Sequence, residues 1–297
     1  MIEVDRSIPY IETHHHLWEI GRFPYNWLAE PGDQDHNDRF GNYRMIRSTI
    51  GAPERFFREF YGANVIKSVH VEADTAAPDP VDETAWLETV ARRHGFPQAL
   101  VVFVDLERPD AEREIQRHLA ASDRVRGVRI RVHPDDPSSA AFVAAYKALG
   151  RLGLSYELNA SPGKLLSGRD VARAMPETQV ILGHAGFPIQ RDAEYFACWK
   201  REISELAKAD NVSCKVSGLG MADLHWTLES FRPYVLHCID AFGPDRLMFG
   251  TNWPVDILFA TYLETVDAYR IIISEAGFSR EDQAKMLHRN AERLYRI

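Results

Sequence analysis

Eight short apolar runs, spread along the whole chain, leave few folds open. They are PYIETHHH (9–16), VIKSVHVEA (65–73), ALVVFVDL (99–106), VRGVRIRV (125–132), LSYELNA (154–160), TQVILGHAG (178–186), NVSCKVSG (211–218) and DRLMFGTNWP (245–254). Rich in Val, Ile and Leu, they suit strands covered on both faces, as in a parallel sheet. The stretches between them carry helix punctuation. Asp79-Pro80 opens VDETAWLETVARRHG and Gly95 closes it, and DPSSAAFVAAYKALGRLG ends on Gly153. AEYFACWKREISELAKADN and SREDQAKMLHRNAERLYRI show helical periodicity. Strand and helix alternate without a Gly/Ser-rich linker, a composition break or an internal repeat. The pattern predicts an α/β fold, a closed (β/α)8 TIM barrel, as one domain over 1–297. Residues 18–62, with Trp27, Pro31, Gly32 and Asp33, are too long for a simple connection and read as an excursion over the barrel mouth.

Composition narrows the partners. Apolar residues make up 45%, enough for a sizeable core, and the net charge is −8. Lys and Arg are dispersed, so no nucleic-acid face is expected and a small-molecule substrate is. Cys198, Cys214 and Cys238 are odd in number and widely spaced, which fits neither a disulfide framework nor a zinc knuckle. Cys214 reads as a buried thiol. MIEVDRSIPY is too polar for a signal peptide, and no apolar stretch is long enough to span a bilayer. The expectation is a cytoplasmic protein with no membrane partner, compatible with a homo-oligomer.

In a barrel of this kind chemistry gathers at the carboxyl ends of the strands. Side chains alternate along a strand, so His14 and His16 point together into the mouth and His15 points toward the helices. Two imidazoles two residues apart can chelate one divalent ion; equally, they can be satisfied polar residues at a strand end. His184, before Gly186, is another strand-end histidine, and three histidines converging on one mouth favour a site over a core role. Gly186 is expected to relieve crowding beside it. Arg129 and Arg131 share a strand face, where they either grip an anionic ligand or pair internally with Glu157 or Glu72. Glu72, Glu157 and Lys215 occupy late strand positions, each carboxylate open to metal, base or Arg-partner roles. Trp18, next to the His run, joins the substrate-binding candidates. Asn252 can bind a substrate oxygen but cannot act as a carboxylate base. Asp256, four residues on, reads first as an N-terminal cap or first-turn acid of the following helix.

IETHHHLW, RGVRI, VILGHAGFP, NVSCKVSGL and RLMFGTNWPV together resemble the amidohydrolase-related (β/α)8 proteins of the lactonase type. That group includes lactonases acting on sugar acids and on a pyrone dicarboxylate. The resemblance runs from residue 11 to about 295, and its motifs are specific for the superfamily rather than for a substrate. It implies a first-strand His-x-His at His14 and His16, and a sixth-strand His184 that polarises a carbonyl or binds metal. The implied cofactor is a divalent metal, zinc first, although members of this branch differ in whether they need one. The family's eighth-strand motif commonly reads Gly-Ser-Asp-Trp-Pro, its Asp activating water; here it is Gly250-Thr251-Asn252-Trp253-Pro254. The usual Ile-Asp of the first strand is Ile11-Glu12. The expected function is hydrolysis of the lactone of a small polar, carboxylated or sugar-acid-like molecule. Arg129 and Arg131 would hold the substrate, and Asp256, Glu157 or Glu72 would supply the base. The alternatives are a metal-dependent decarboxylase of an aromatic acid and a non-catalytic binding member.

Overall fold

The computed structural model describes residues 4–28, 46–47 and 49–297. All eight apolar runs form strands: β1 (Tyr10–His15), β2 (Val65–Val71), β3 (Ala99–Phe103), β4 (Val125–Arg129), β5 (Ser155–Leu158), β6 (Val180–Leu182), β7 (Val212–Val216) and β8 (Leu247–Phe249). They lie in sequence order in one parallel sheet. The helices are α1 (Pro53–Phe56), α2 (Val81–His94), α3 (Ala111–Ala121), α4 (Ala140–Leu152), α5 (Leu165–Ala174), α6 (Ala193–Leu206), α7 (Leu228–Phe242), α8 (Tyr262–Glu275), α9 (Arg280–Ala284) and α10 (Asn290–Tyr295). Gly95 and Gly153 end α2 and α4 in the left-handed conformation, where glycine carries no Cβ penalty. Of the expected excursion, Pro31, Gly32 and Asp33 lie outside the described residues. Trp18, Tyr25, Leu28, Ile46 and Ile50 form an apolar cluster with Met221 and Val255 from later connections.

The sheet closes where β1 meets β8. Asn252 N donates to His14 O at 2.8 Å, and His16 N donates to Trp253 O at 2.7 Å. Glu12 ties the seam. Its carboxylate accepts from His14 N, Thr251 N, Thr251 Oγ1 and, across from α8, Tyr262 OH, at 2.7–3.0 Å. Gly250 is demanded by the same approach: a Cβ there would stand 2.7 Å from His14 Cβ.

The floor of the barrel is apolar apart from one polar knot. Ile11, Val69, Val71, Val101, Ile181 and Met248 pack together, with Tyr295 of α10 among them. Lys215 Nζ lies 2.8 Å from Glu157 Oε2, and Tyr295 OH donates to Glu157 Oε1 at 2.7 Å. Lys215 also reaches Thr13 O and Tyr295 OH. Both charges are buried, so each depends on the other for compensation.

Among the described residues, no helix is long and apolar enough to cross a membrane.

Two expectations follow. Lys215→Met leaves Glu157 buried without its cation and should cost about 3–5 kcal/mol of stability in urea unfolding, while adding Glu157→Gln should recover much of it. Glu83, at the start of α2, is buried and accepts from Ala73 N at 3.0 Å. Burial, aided by the charge of Glu72, pushes its carboxyl up to about 8. A carboxyl raised in the folded state stabilises fully below its ordinary value and loses that contribution as pH rises through 8. Glu83→Gln should therefore be near neutral at pH 5 and more stable than the parent at pH 8.5 in the same assay.

Candidate active site

The three histidines meet at the mouth, though strict strand alternation does not by itself bring them there. Ile11 packs in the barrel interior, so unbroken alternation from it would turn His14 and His16 outward. A register shift between Glu12 and His15 resets the phase. His14 and His16 then face one another with ring centroids 5.0 Å apart, and His14 lies 4.2 Å from His184. His15 points away, stacked on Phe56 of α1 at 4.6 Å with its Nε2 3.0 Å from Ser68 Oγ.

His184 does not end β6. It sits in a turn, Gly183–Gly186, with left-handed φ of 50°. Ser217 Oγ lies 3.0 Å from its Nδ1. Room for the ring comes from Gly218, not from Gly186: a Cβ on Gly218 would meet His184 Nδ1 at 2.6 Å, whereas one on Gly186 would meet Ile203 and Leu165. Asn252 likewise lies beyond β8, at φ 59°, a conformation asparagine tolerates better than most residues.

A cavity of about 210 Å³ opens over these groups. His16, His184, Asn252, Arg129 and Asp74 supply its polar wall, and Trp27, Phe187, Met221, Val255 and Ala73 its apolar wall. His14 lies just beneath. Burial lowers the His14 pKa well below the ordinary value, with His184 adding to the effect. Burial, then Arg129, brings His16 down to about 4. Both rings are therefore neutral at pH 7. His16 Nδ1 is 2.9 Å from Val71 O and 3.1 Å from Glu72 O, so it carries the proton and Nε2 carries the lone pair.

The remaining expected site residues divide. Arg129 reaches the cavity, but its Nε donates to Glu72 Oε1 at 2.8 Å. Of the two internal partners foreseen for the arginines, Glu72 is the one taken. Although burial pushes up the Glu72 carboxyl, Arg129 and Arg131 together hold it below its ordinary value. Arg131 lies past the end of β4, off the wall, 2.7 Å from Asp74 Oδ1. Glu157 and Lys215 are in the floor, occupied with each other. Trp18 is buried against Trp27, edge to face at 5.5 Å, and so braces the wall instead of forming it. Asp256 is in a short turn (Val255–Leu258) before α8, whose cap is Thr261. It accepts from Asn252 Nδ2 at 2.8 Å, and burial pushes its carboxyl up to about 8. Asp74 is the wall carboxylate that sequence reasoning missed. It stands two residues after Glu72, and nothing in its spacing distinguishes it from a surface turn.

The donor chemistry at the mouth suits a borderline divalent ion. His14 has no hydrogen-bond partner for either ring nitrogen among the described residues, and His16 has its far nitrogen fixed by backbone carbonyls. Two imidazoles on one tetrahedral ion stand with their centres about 5 Å apart, given Zn–N bonds of about 2.0–2.1 Å, which matches His14 and His16. Among the described residues no set of three His, Cys, Asp or Glu side chains stands ready to hold an ion; the His184 ring lies closer to His14 than a shared ion permits.

Comparisons with known proteins agree with this architecture. The amidohydrolase family model matches residues 11–297. The uncharacterized protein y4mH of Sinorhizobium fredii is 34% identical, over 98% of this chain and 99% of its own. The L-fucono-1,5-lactonase of Burkholderia ambifaria is 30% identical, over 84% of this chain and 81% of its own. Among solved structures, an amidohydrolase from Burkholderia multivorans with bound zinc superposes with a TM-score of 0.80 at 23% identity, covering 97% of this chain and 99% of that one. Barrel, mouth histidines and full-length family match together make this chain a member of the amidohydrolase family.

Proposed function

We propose that this protein is a lactonase, a hydrolase that opens the internal ester of a small polar ring. The observation that carries the reading is the cavity itself: two imidazoles and an amide converge on a space sized for one substituted ring, opposite an apolar wall. The lactonase relative supports the same chemistry.

His184 is the group on the wall suited to hydrogen-bond the lactone carbonyl, with Ser217 and Gly218 setting its ring. His16 presents a lone pair beside Asn252, and the amide orients the incoming water. Arg129 offers its guanidinium edge to substrate oxygens while Glu72 holds it in place. A divalent ion, zinc by donor type, would be held by His14 and His16 and would supply Lewis-acid polarisation of a bound oxygen. The carboxylate base is the open role. Glu157 is engaged by Lys215, Glu72 is held by two arginines, and Asp256 reaches the mouth only through Asn252. A lactone is activated relative to an amide, so a weak base suffices; because an amide cannot pass a proton, Asp256 acts through Asn252 by fixing the amide that orients the water, not by taking its proton.

Incubation with uncharged and carboxylated lactones tests the reading, following ring opening by proton release. Release of carbon dioxide from an aromatic acid in place of ring opening would favour the decarboxylase alternative, and turnover of neither class would favour a binding protein. His14→Ala and His16→Ala should each abolish turnover, whereas His15→Ala should mainly lower the unfolding midpoint; a correctly folded His15→Ala as inactive as the others would sink the assignment. Chelation should lower activity, and elemental analysis should find about one ion per chain; full activity without metal would remove the ion from the scheme. Asp256→Ala should lower kcat by about 10–10²-fold, the scale of a misplaced orienting group, by releasing the Asn252 amide. Wild-type turnover in Asp256→Ala would exclude it.

A further inference from the structure

Two guanidinium groups stand at the mouth, and each already has an anionic partner. Arg129 is bound to Glu72 through Nε, and its Nη2 donates to the Glu72 carbonyl at 3.0 Å. Arg131 is bound to Asp74 at 2.7 Å, donates to Thr75 O at 2.9 Å and lies 4.1 Å over the Phe103 ring. Glu72 fixes the other side as well, since its Oε2 accepts from Asp74 N at 2.9 Å. Two cations thus face two carboxylates in one connected cluster. Of the four, only Arg129 and Asp74 reach the cavity wall. The Asp74 side chain is 48% exposed, and its backbone is left-handed with φ 53°, so the turn presents the carboxylate to an incoming ligand.

We infer that Asp74, held by Arg131 and Glu72, makes this cavity select uncharged, hydroxyl-bearing lactones over lactones that carry a carboxylate. The inference rests on the lactonase reading and names its substrate class. An anionic substrate would meet the Asp74 carboxylate at the wall. The cation beside it, Arg129, is committed to the Glu72 carboxylate through Nε and to the Glu72 carbonyl through Nη2, which leaves Nη1 for a single-point contact; a bidentate grip on a substrate carboxylate would have to exchange the carbonyl bond for the ligand. An uncharged polyol requires no such exchange. Its hydroxyls donate to Asp74 and accept from Arg129 while both internal pairs stay intact. On this inference Arg129 keeps its contact with substrate oxygens, while Arg131 orders the wall by holding Asp74.

The test is calorimetric binding of two ring ligands that are not hydrolysed: a polyhydroxylated lactam, and the same ring bearing a carboxylate. The wild type should bind the uncharged ring at least tenfold more tightly. Asp74→Asn keeps the shape and leaves Arg131 with Glu72, at 3.6 Å, as its remaining anion, and should reduce that preference by about two- to fivefold, the scale of one partly exposed charge contact. Arg131→Gln leaves Asp74 charged and should sharpen the preference. A wild type that binds the carboxylated ring equally or better, or that binds neither, overturns the inference; so does a preference unchanged in both variants. In turnover, Asp74→Asn should raise KM for an uncharged lactone with kcat within a few-fold. A 10²-fold loss of kcat at unchanged KM would make Asp74 the base instead and overturn its assignment to selection. Because binding is read without turnover, failure here leaves the lactonase reading standing, and inactivity toward every lactone leaves the binding result readable.

Discussion

One buried carboxylate, Glu12, holds together what the site needs. A parallel barrel has to join its first strand to its last, and here few ladder bonds do so. Glu12 accepts from both sides of the seam and from α8. Burial raises its carboxyl to about 7 against the pull of those donors, so the four contacts offset a large desolvation cost. His14 and His16 follow it on β1, and Asn252 follows Thr251 after β8. Movement of the seam would therefore shift the histidine pair relative to the amide. The extra methylene of Glu over the family's usual Asp lengthens the reach to Thr251 and Tyr262.

Above and below this seam, charge is handled by pairing, while the imidazoles are handled by burial. The floor contains one ion pair, Lys215 with Glu157, capped by a hydroxyl from the last helix. The rim contains a linked set, Arg129 with Glu72 and Arg131 with both Asp74 and Glu72. Between them lie His14 and His16, whose burial removes their charge. The reacting groups consequently sit in a layer with little net charge of its own, in which neutral imidazole nitrogens can accept a proton, a metal or a hydrogen bond. That layering also explains why late-strand charges are poor guides to catalytic role in this chain. Glu72, Glu157 and Lys215 are charged and buried at the right height, yet their partners within the protein already account for them.

The fold was legible because eight buried strands leave an unmistakable apolar pattern, and because Gly95 and Gly153 mark helix ends by a conformation few other residues adopt. The pairing of His14 with His16 was legible from parity. The side to which they face was not, because a register shift between Glu12 and His15 has no signature in residue type. His184 and Asn252 were recognisable as mouth residues, but their left-handed turns beyond the strands were not. Asp74 could not be picked out, since its position depends on a turn geometry and on Arg131 folding back from β4. Glu157 and Lys215 were ambiguous for a different reason: the partner that settles one of them is 58 residues away in sequence.

Asn252 is better understood as half of a pair than as a lost aspartate. Its amide donates to Asp256, and the backbone N–H of Gly220 adds a second hydrogen bond to that carboxyl. An aspartate at 252 would bring two carboxyl groups within hydrogen-bond distance in a buried place. Two such groups cannot both ionise and would hold one proton between them. Restoring the family residue would therefore not restore an isolated base; it would create a carboxyl dyad with a proton to lose. The amide avoids that conflict, tolerates the left-handed turn, and can relay to the mouth whatever orientation Asp256 imposes. Retention of a buried Asp256 with no charged partner among the described residues is costly unless its contact with Asn252 serves the site. That cost is the physical reason to regard this mouth as a working arrangement built around an Asn–Asp pair, not as one from which a catalytic group has been deleted.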